Sequence, residues 1–431
     1  NVPYRIKGYD AILSDPKNTI LFNREIEKTT AENYNRVGSD GKLIWKNETE
    51  IVLVSLTEKF LVTTLTKLYN FIPDGGIWLN TQRPEWNDAN NALVGNGLSI
   101  VTLCYLRRFI SVLQNLYKTA ENSKFQINKP VFDLMEALNK GFVRYRSYLK
   151  TEFTPFSRRE FMDDFGIAGE HYRTTAYEGF TGEKRWLDKL KLEEFLNTAL
   201  DYINHTLENN KRPDGLYHSY NLLKLGENSA EITQLYEMLE GQVAILSSGM
   251  LDLDESVEIL NALKASKMYR EDQYSYMLYP DRNLPYFLDK NLLPPNSKNK
   301  IPIIQKMLND EDCSIIEEDK FGNLYFNSHL NNSKDIDELI DQIENSSLKY
   351  EVNQHRKVIK LLFEDVFKHH EFTGRSGSFF GYEGLGSIYW HMVSKLMLAI
   401  QENLSKYRKQ KDSLSYSKLI EHYYEIRAGI G

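Results

Sequence analysis

Apolar residues recur at three- and four-residue spacing along most of this chain, and polar loops rich in Gly or Pro separate the runs. Leu53, Leu56, Phe60, Leu65, Leu68 and Ile72 share one face over about five turns, which predicts a helix that Asp74-Gly75-Gly76 breaks. Val101, Leu103, Leu106, Phe109, Ile110, Leu113 and Leu116 predict a second. A third is predicted over 129–149, with Pro130 near its first turn, where the absent N–H does no harm. A fourth runs over 187–207. The same spacing predicts helices over 229–247, 253–265, 301–309, 335–345, 348–368, 383–406 and 413–427. Strand signals are few and short, 322–328 being the best. The segment 266–300, with Pro280, Pro285, Pro294, Pro295 and five tyrosines, lacks periodicity and reads as a long structured loop of the kind that carries function.

These elements predict an all-α chain of paired helices. No repeat of ~34 or ~40 residues with a fixed signature is present, which argues against a solenoid. A closed ring of helical hairpins with its functional loops at one end fits better, although periodicity alone does not separate a ring from an open array. Residues 1–50 read as an N-terminal extension or linker, and 51–431 as the helical domain. The chain begins at Asn1 and shows no charged head followed by an apolar segment, so further sequence upstream is expected.

Composition narrows the partners. The net charge is −7 and the 53 basic residues are dispersed, so nucleic acid is not an expected partner. No apolar run approaches the ~18 residues of a membrane span. Two cysteines, Cys104 and Cys313, are too few for a disulfide framework and suit a reducing, cytoplasmic setting, with Cys104 read as a core residue. No His or Cys pair has metal-ligand spacing, so no metal is predicted. Aromatics reach 12%, with 27 Tyr, and rings with one apolar face and one polar tip suit a carbohydrate cleft as well as a core.

Four polar-aromatic clusters fall in loops. In Arg83-Pro84-Glu85-Trp86-Asn87-Asp88 an indole can stack on a sugar ring, and a carboxylic acid beside it can protonate a glycosidic oxygen; the same residues also suit a solvated loop whose Asp caps the next helix. The second cluster is Asp214-Gly215-Leu216-Tyr217-His218-Ser219-Tyr220. The third is Tyr279-Pro280-Asp281-Arg282-Asn283, with Tyr325, Asn327 and His329 downstream. The fourth, Thr373 to Gly384, offers Arg375, Ser376, Gly377 and Ser378 ahead of a predicted helix, a good place for phosphate, or a turn that lets two helices pack closely. Glu383 beside it reads either as a base for water or as a helix cap.

The order of these clusters resembles the C-terminal catalytic region of the cellobiose and chitobiose phosphorylases. Trp86-Asn87-Asp88 is similar to their Trp-Asn-Asp motif, and Leu239-Glu240-Gly241-Gln242 through Ser247-Ser248-Gly249 to their Gly-Gln-rich helix and Ser-Gly turn. Leu278-Tyr279-Pro280 and the glycines from Gly374 to Gly381 follow in the family's order. The likeness spans about residues 70–400. It implies an (α/α)6 six-hairpin toroid, here incomplete at its N-terminus, with Asp88 as general acid and His329, Arg375, Ser376, Gly377 and Ser378 on phosphate. The family's Asn-Gly-Gly segment has no clean match; Gly322-Asn323 is the nearest.

Together these readings predict an inverting glycoside phosphorylase acting on a β-linked gluco-oligosaccharide or disaccharide, with inorganic phosphate as co-substrate and no other cofactor. Arg83, Glu85, Trp86, Asn87, Tyr217, His218 and Arg282 are the expected sugar contacts, and an oligomer is compatible with the reading. One alternative is an inverting hydrolase with Glu383 as base. Another is a non-catalytic carbohydrate-binding protein.

Overall fold

The structure is a computed structural model that describes residues 3–45, 50–81, 93–280, 286–343, 345–367 and 388–430. It divides into two compact units, Asn1–Asp281 with Gly384–Gly431, and Arg282–Glu383. Both are mostly helical, so the predicted class holds in its coarse form.

In the first unit the long helices are Leu56–Leu68, Ile100–Thr119, Lys129–Tyr145, Pro155–Glu178, Lys189–Glu208, Trp390–Lys406 and Leu414–Ile430, with shorter ones at Leu239–Ser247 and Leu253–Ala265. Helix Ile100–Thr119 packs against Lys189–Glu208 and Leu239–Ser247, and Trp390–Lys406 packs against Leu239–Ser247 and Leu414–Ile430. One continuous core joins them, and Cys104 is fully buried in it. Side-chain caps set the starts: Ser55 accepts from Glu58 N, Ser99 from Thr102 N, and Asp252 with Glu255 forms a reciprocal box. Each such cap contributes about 1 kcal/mol. Among the described residues no helix is long and apolar enough to cross a membrane.

Three departures from the periodicity have physical causes. Helix Pro155–Glu178, the longest described, was not predicted. Its buried face carries Ser157, Arg158, Gly166, Gly169 and Arg173 among its apolar residues, which erases the hydrophobic stripe. The glycines replace side chains where Tyr9 and Tyr69 press close. A helix also forms at Arg24–Val37 inside the expected linker; it is polar overall and has no buried residue, so its few apolar positions did not stand out. The third departure is a five-stranded antiparallel sheet, in the order Phe71–Ile72, Gly76–Trp78, Gly97–Ser99, Tyr220–Leu225 and Ala230–Gln234. Strands of two to six residues are too short to show alternation. The last of them occupies the start of the helix predicted over 229–247, which instead begins at Leu239.

The turn before the second strand is tightly held. Asp74 adopts φ 63° and Gly76 φ 118°, and a Cβ on Gly76 would lie 2.8 Å from the backbone of Ser99. Arg158 donates from Nε to Pro73 O, from Nη1 to Ala230 O, and from Nη2 to Phe153 O and the Asp74 carboxylate, at 2.9–3.1 Å. One guanidinium therefore ties the turn after the first edge strand to the start of the last.

The second unit has its own core of Ile, Leu, Met, Val and Phe side chains. A hairpin pairs Ile316–Glu318 with Leu324–Phe326, the latter within 322–328, the best of the short strand signals. Around it lie helices Pro302–Asn309, Asp335–Gln342, Ser346–Gln354 and Arg356–Phe367. The predicted helix 348–368 is two helices, broken at His355. Asn291 bridges to the hairpin, donating to Phe326 O and accepting from Phe326 N.

Candidate functional site

The sheet brings distant polar segments together. Strands Gly76–Trp78 and Gly97–Ser99 are the two ends of the segment that contains Trp86-Asn87-Asp88. The ends are closed by Leu79 N to Gly97 O, Gly95 N to Leu79 O, and the Trp78 indole N–H to Gly95 O. Strand Gly97–Ser99 then pairs with the strand that follows the second cluster, Ser99 standing opposite Tyr220. Ser219 O also accepts from Ile100 N and Val101 N.

The second cluster is rigid for local reasons. Gly215 takes φ 82° in a turn that Asp214 closes by accepting from Leu216 N. Arg212 binds both Asp214 and Glu237, and its guanidinium keeps the Asp214 carboxyl below the usual range. The Gln242 side chain meets both polar groups of the Tyr217 backbone, accepting from its N–H and donating to its carbonyl. Asn221 donates to Gly75 O and to Asn210 Oδ1, tying the strand back to the glycine turn.

Of the expected sugar contacts, Tyr217 is 3% exposed, with its ring in the core, and burial pushes its phenol up to about 12. His218 is 7% exposed; burial lowers its pKa, so the ring is neutral at pH 7. Its Nδ1 lies 2.8 Å from Leu235 O. A carbonyl only accepts, so Nδ1 carries the proton and Nε2 is an acceptor. His329 is exposed in the second unit, in the turn after Leu324–Phe326, where its N–H donates to Asn327 Oδ1. Arg83, Glu85, Trp86, Asn87, Asp88, Arg282, Arg375, Ser376, Gly377, Ser378 and Glu383 lie outside the described residues. Among the described residues no three His, Cys, Asp or Glu side chains are grouped to hold a metal.

The structure adds a pair that periodicity passed over. Tyr220 Oη donates to Glu240 Oε2 at 2.6 Å, with Tyr220 1% and Glu240 3% exposed. Gly241 N–H donates to Ser219 Oγ, and Leu239 N–H to Leu278 O, which sets Tyr279 beside the same helix start. Tyr279 meets Tyr236 edge-on at 5.9 Å. A sequence signal was present: Glu240 is a lone carboxylate in a helix whose residues 239–246 are all buried.

His218 and His422 give this unit an acid-sensitive stability. Burial lowers both pKa values, and His422 Nε2 is 2.9 Å from Asn261 Oδ1. With folded pKa values below the unfolded value of about 6.5, the unfolded chain binds more protons as pH falls through that value. The melting midpoint is expected to be flat from about pH 8 to 7 and to drop below about 6.5. A double His218→Gln, His422→Gln variant should flatten that drop, as read by thermal melts at a series of pH values; an equally steep fall in the variant would refute the assignment.

Residues 284–370 match the family model described as GH149 phosphorylase insertion domain 2. No curated protein matches the chain. The matched span lies within the unit Arg282–Glu383, so it is this unit that is similar to a domain inserted in GH149 phosphorylases, and the likeness is not specifically to the cellobiose and chitobiose phosphorylases.

Proposed function

We propose that this chain is part of an inverting glycoside phosphorylase built on a six-hairpin helical toroid and acting on a β-linked gluco-oligosaccharide or disaccharide. The observation that carries the reading is the phosphorylase insertion domain at 284–370, downstream in the same chain from Trp86-Asn87-Asp88. Asp88 protonates the leaving glycosidic oxygen. Phosphate, held by Arg375, Ser376, Gly377, Ser378 and His329, attacks the anomeric carbon from the opposite face and yields a sugar 1-phosphate. One protein carboxylate suffices, because phosphate is already a nucleophile. Trp86 stacks on a sugar ring, and Arg83, Glu85, Asn87 and Arg282 bind its hydroxyls. Tyr217 and His218 brace the strand beside this segment, with His218 Nε2 an acceptor for a sugar hydroxyl.

The deciding experiment incubates the protein with β-linked gluco-oligosaccharides, with and without inorganic phosphate. Release of sugar 1-phosphate that requires phosphate is expected. Equal release of free sugar in both arms would replace phosphorolysis with hydrolysis, with Glu383 as the base. Binding without turnover would leave a carbohydrate-binding protein.

A further inference from the structure

We infer that the cavity beside Arg173 is a binding site for a monatomic anion of the chloride class, which ties the first strands of the sheet to helix Pro155–Glu178 and to the chain ahead of Tyr9. The site stands apart from the phosphorylase reading, since none of its residues has a role there.

Helix Pro155–Glu178 carries three arginines, and two of them have a carboxylate. Arg158 pairs with Asp74 at 2.9 Å and Arg159 with Asp163 at 2.8 Å. Arg173 is only 8% exposed, yet it has no such partner among the described residues. Its Nη2 reaches Lys7 O at a long 3.4 Å, and its guanidinium lies 5.4 Å from the centre of the Tyr69 ring. A buried cation without a counter-charge is unfavourable, and a guanidinium has five N–H groups to satisfy. The acids on the same helix are engaged elsewhere. Glu170 accepts from Tyr9 N at 3.1 Å, and Asp163 accepts from Tyr9 Oη and Arg159 Nε. Among the described residues no acid lines the cavity.

The polar lining offers donors and withholds acceptors. Asn80 Nδ2 donates to Asn70 Oδ1 at 2.8 Å, Asn70 Nδ2 to Thr66 O at 3.1 Å, and Thr81 Oγ1 to Asn80 Oδ1 at 3.2 Å. Both amide oxygens are therefore engaged, whereas each Nδ2 retains a second N–H. Tyr9, Tyr69 and Trp78 wall the space. The Trp78 indole N–H is taken by Gly95 O and the Tyr9 hydroxyl by Asp163. A guanidinium and amide N–H groups against aromatic walls suit an anion, and a cation would find no ligand. The cavity is narrow, with room for about one water. A sugar ring or a phosphoryl group exceeds that space. A water fits but leaves the charge uncompensated, whereas a halide fits and neutralises it.

The position gives such an ion a structural consequence. Asn70 directly precedes strand Phe71–Ile72, and its carbonyl accepts from Trp78 N at 2.8 Å. Asn80 follows strand Gly76–Trp78, where the chain leaves toward Arg83 and Asp88. Lys7 lies just ahead of helix Tyr9–Ser14. A bound anion joins these three stretches to Arg173, as the Asp74 carboxylate joins its own turn to Arg158.

Thermal melts of the whole chain at fixed ionic strength, with chloride exchanged for gluconate, test the site. The midpoint is expected to rise saturably with chloride, by a few degrees at about 100 times the dissociation constant, where folding gains about 100-fold. Bromide should replace chloride, and crystals grown in bromide should show an anomalous peak beside Arg173. In Arg173→Met the chloride response should vanish, while the midpoint in gluconate equals or exceeds that of the wild type, because an uncompensated buried cation is gone. A variant whose midpoint falls equally in both salts makes Arg173 a structural arginine and overturns the site. Should the variant fail to fold, the wild type decides: no saturable chloride response, or no bromide peak beside Arg173, overturns the site. A peak without a response marks an adventitious ion only and overturns it as well. A midpoint that rises with phosphate or acetate but not with chloride overturns the halide assignment.

Discussion

Asp88→Asn is expected to lower kcat by about 10³-fold, within the range that general acid catalysis contributes, while KM and the melting midpoint stay close to wild type. The substitution keeps the size of the side chain and its capacity to hydrogen-bond, and removes only the transferable proton. Ground-state sugar binding uses the ring face and the hydroxyls, which Trp86, Arg83 and Glu85 serve in the proposed site. The loss therefore belongs to the transition state, where the leaving oxygen gains charge. Sugar 1-phosphate formation measured at saturating phosphate gives kcat, and circular dichroism with a thermal melt checks the fold. Turnover within a few fold of wild type would remove Asp88 from the mechanism. A substrate with an activated leaving group adds a second readout. Such a leaving group needs no proton, so the variant should recover much of its rate on it, whereas a loss caused by misfolding would persist.

Arg158→Met is expected to destabilise the first unit by about 3–5 kcal/mol, the usual loss when one partner of a buried ion pair is removed. Four acceptors lose their donor at once: the carbonyls of Pro73, Ala230 and Phe153, and the carboxylate of Asp74. Asp74 keeps its contacts to Thr206 and Asn209, so the turn is weakened rather than freed. The three carbonyls lie too deep for water to replace the guanidinium freely, and unsatisfied buried carbonyls are unfavourable. Denaturant unfolding followed by tryptophan fluorescence measures the change. Arg158→Lys should fall between the two proteins, since an ammonium cannot span four acceptors. A loss below about 1 kcal/mol for Arg158→Met would mean that the sheet turn is held mainly by its other contacts.

Both cases bear on how far a one-dimensional reading reaches. Helix Leu253–Ala265 coincides with its predicted bounds because its apolar face and its Asp252 cap are local features. Helix Pro155–Glu178 escaped because its inward face is occupied by Arg158, Arg173 and glycines, whose fitness for the interior depends on Pro73, Asp74, Tyr9 and Tyr69 far away in the chain. The sheet escaped because its strands are short and its register joins Gly97–Ser99 to Tyr220–Leu225 across four intervening long helices. The candidate site divides in the same way. Tyr217 and His218 stood out as polar-aromatic residues in a loop, yet the fold places both in the interior, with the Tyr217 backbone held by Gln242 and His218 bound to Leu235. Glu240 was visible as a lone acid in an apolar helix but had no partner in the linear text.

The order of residues alone determined that this chain is mostly helical, where many of its helices begin, and which loops concentrate aromatic and polar chemistry. Those properties depend on spacing within a few turns and on caps within three residues. Only the tertiary structure decided that the strand after the Trp-Asn-Asp segment lies against the strand bearing Tyr220, and that Tyr220 meets a buried Glu240. Such contacts are selected by the burial of one shared core and by backbone pairing between remote segments, and neither leaves a periodic trace in either segment.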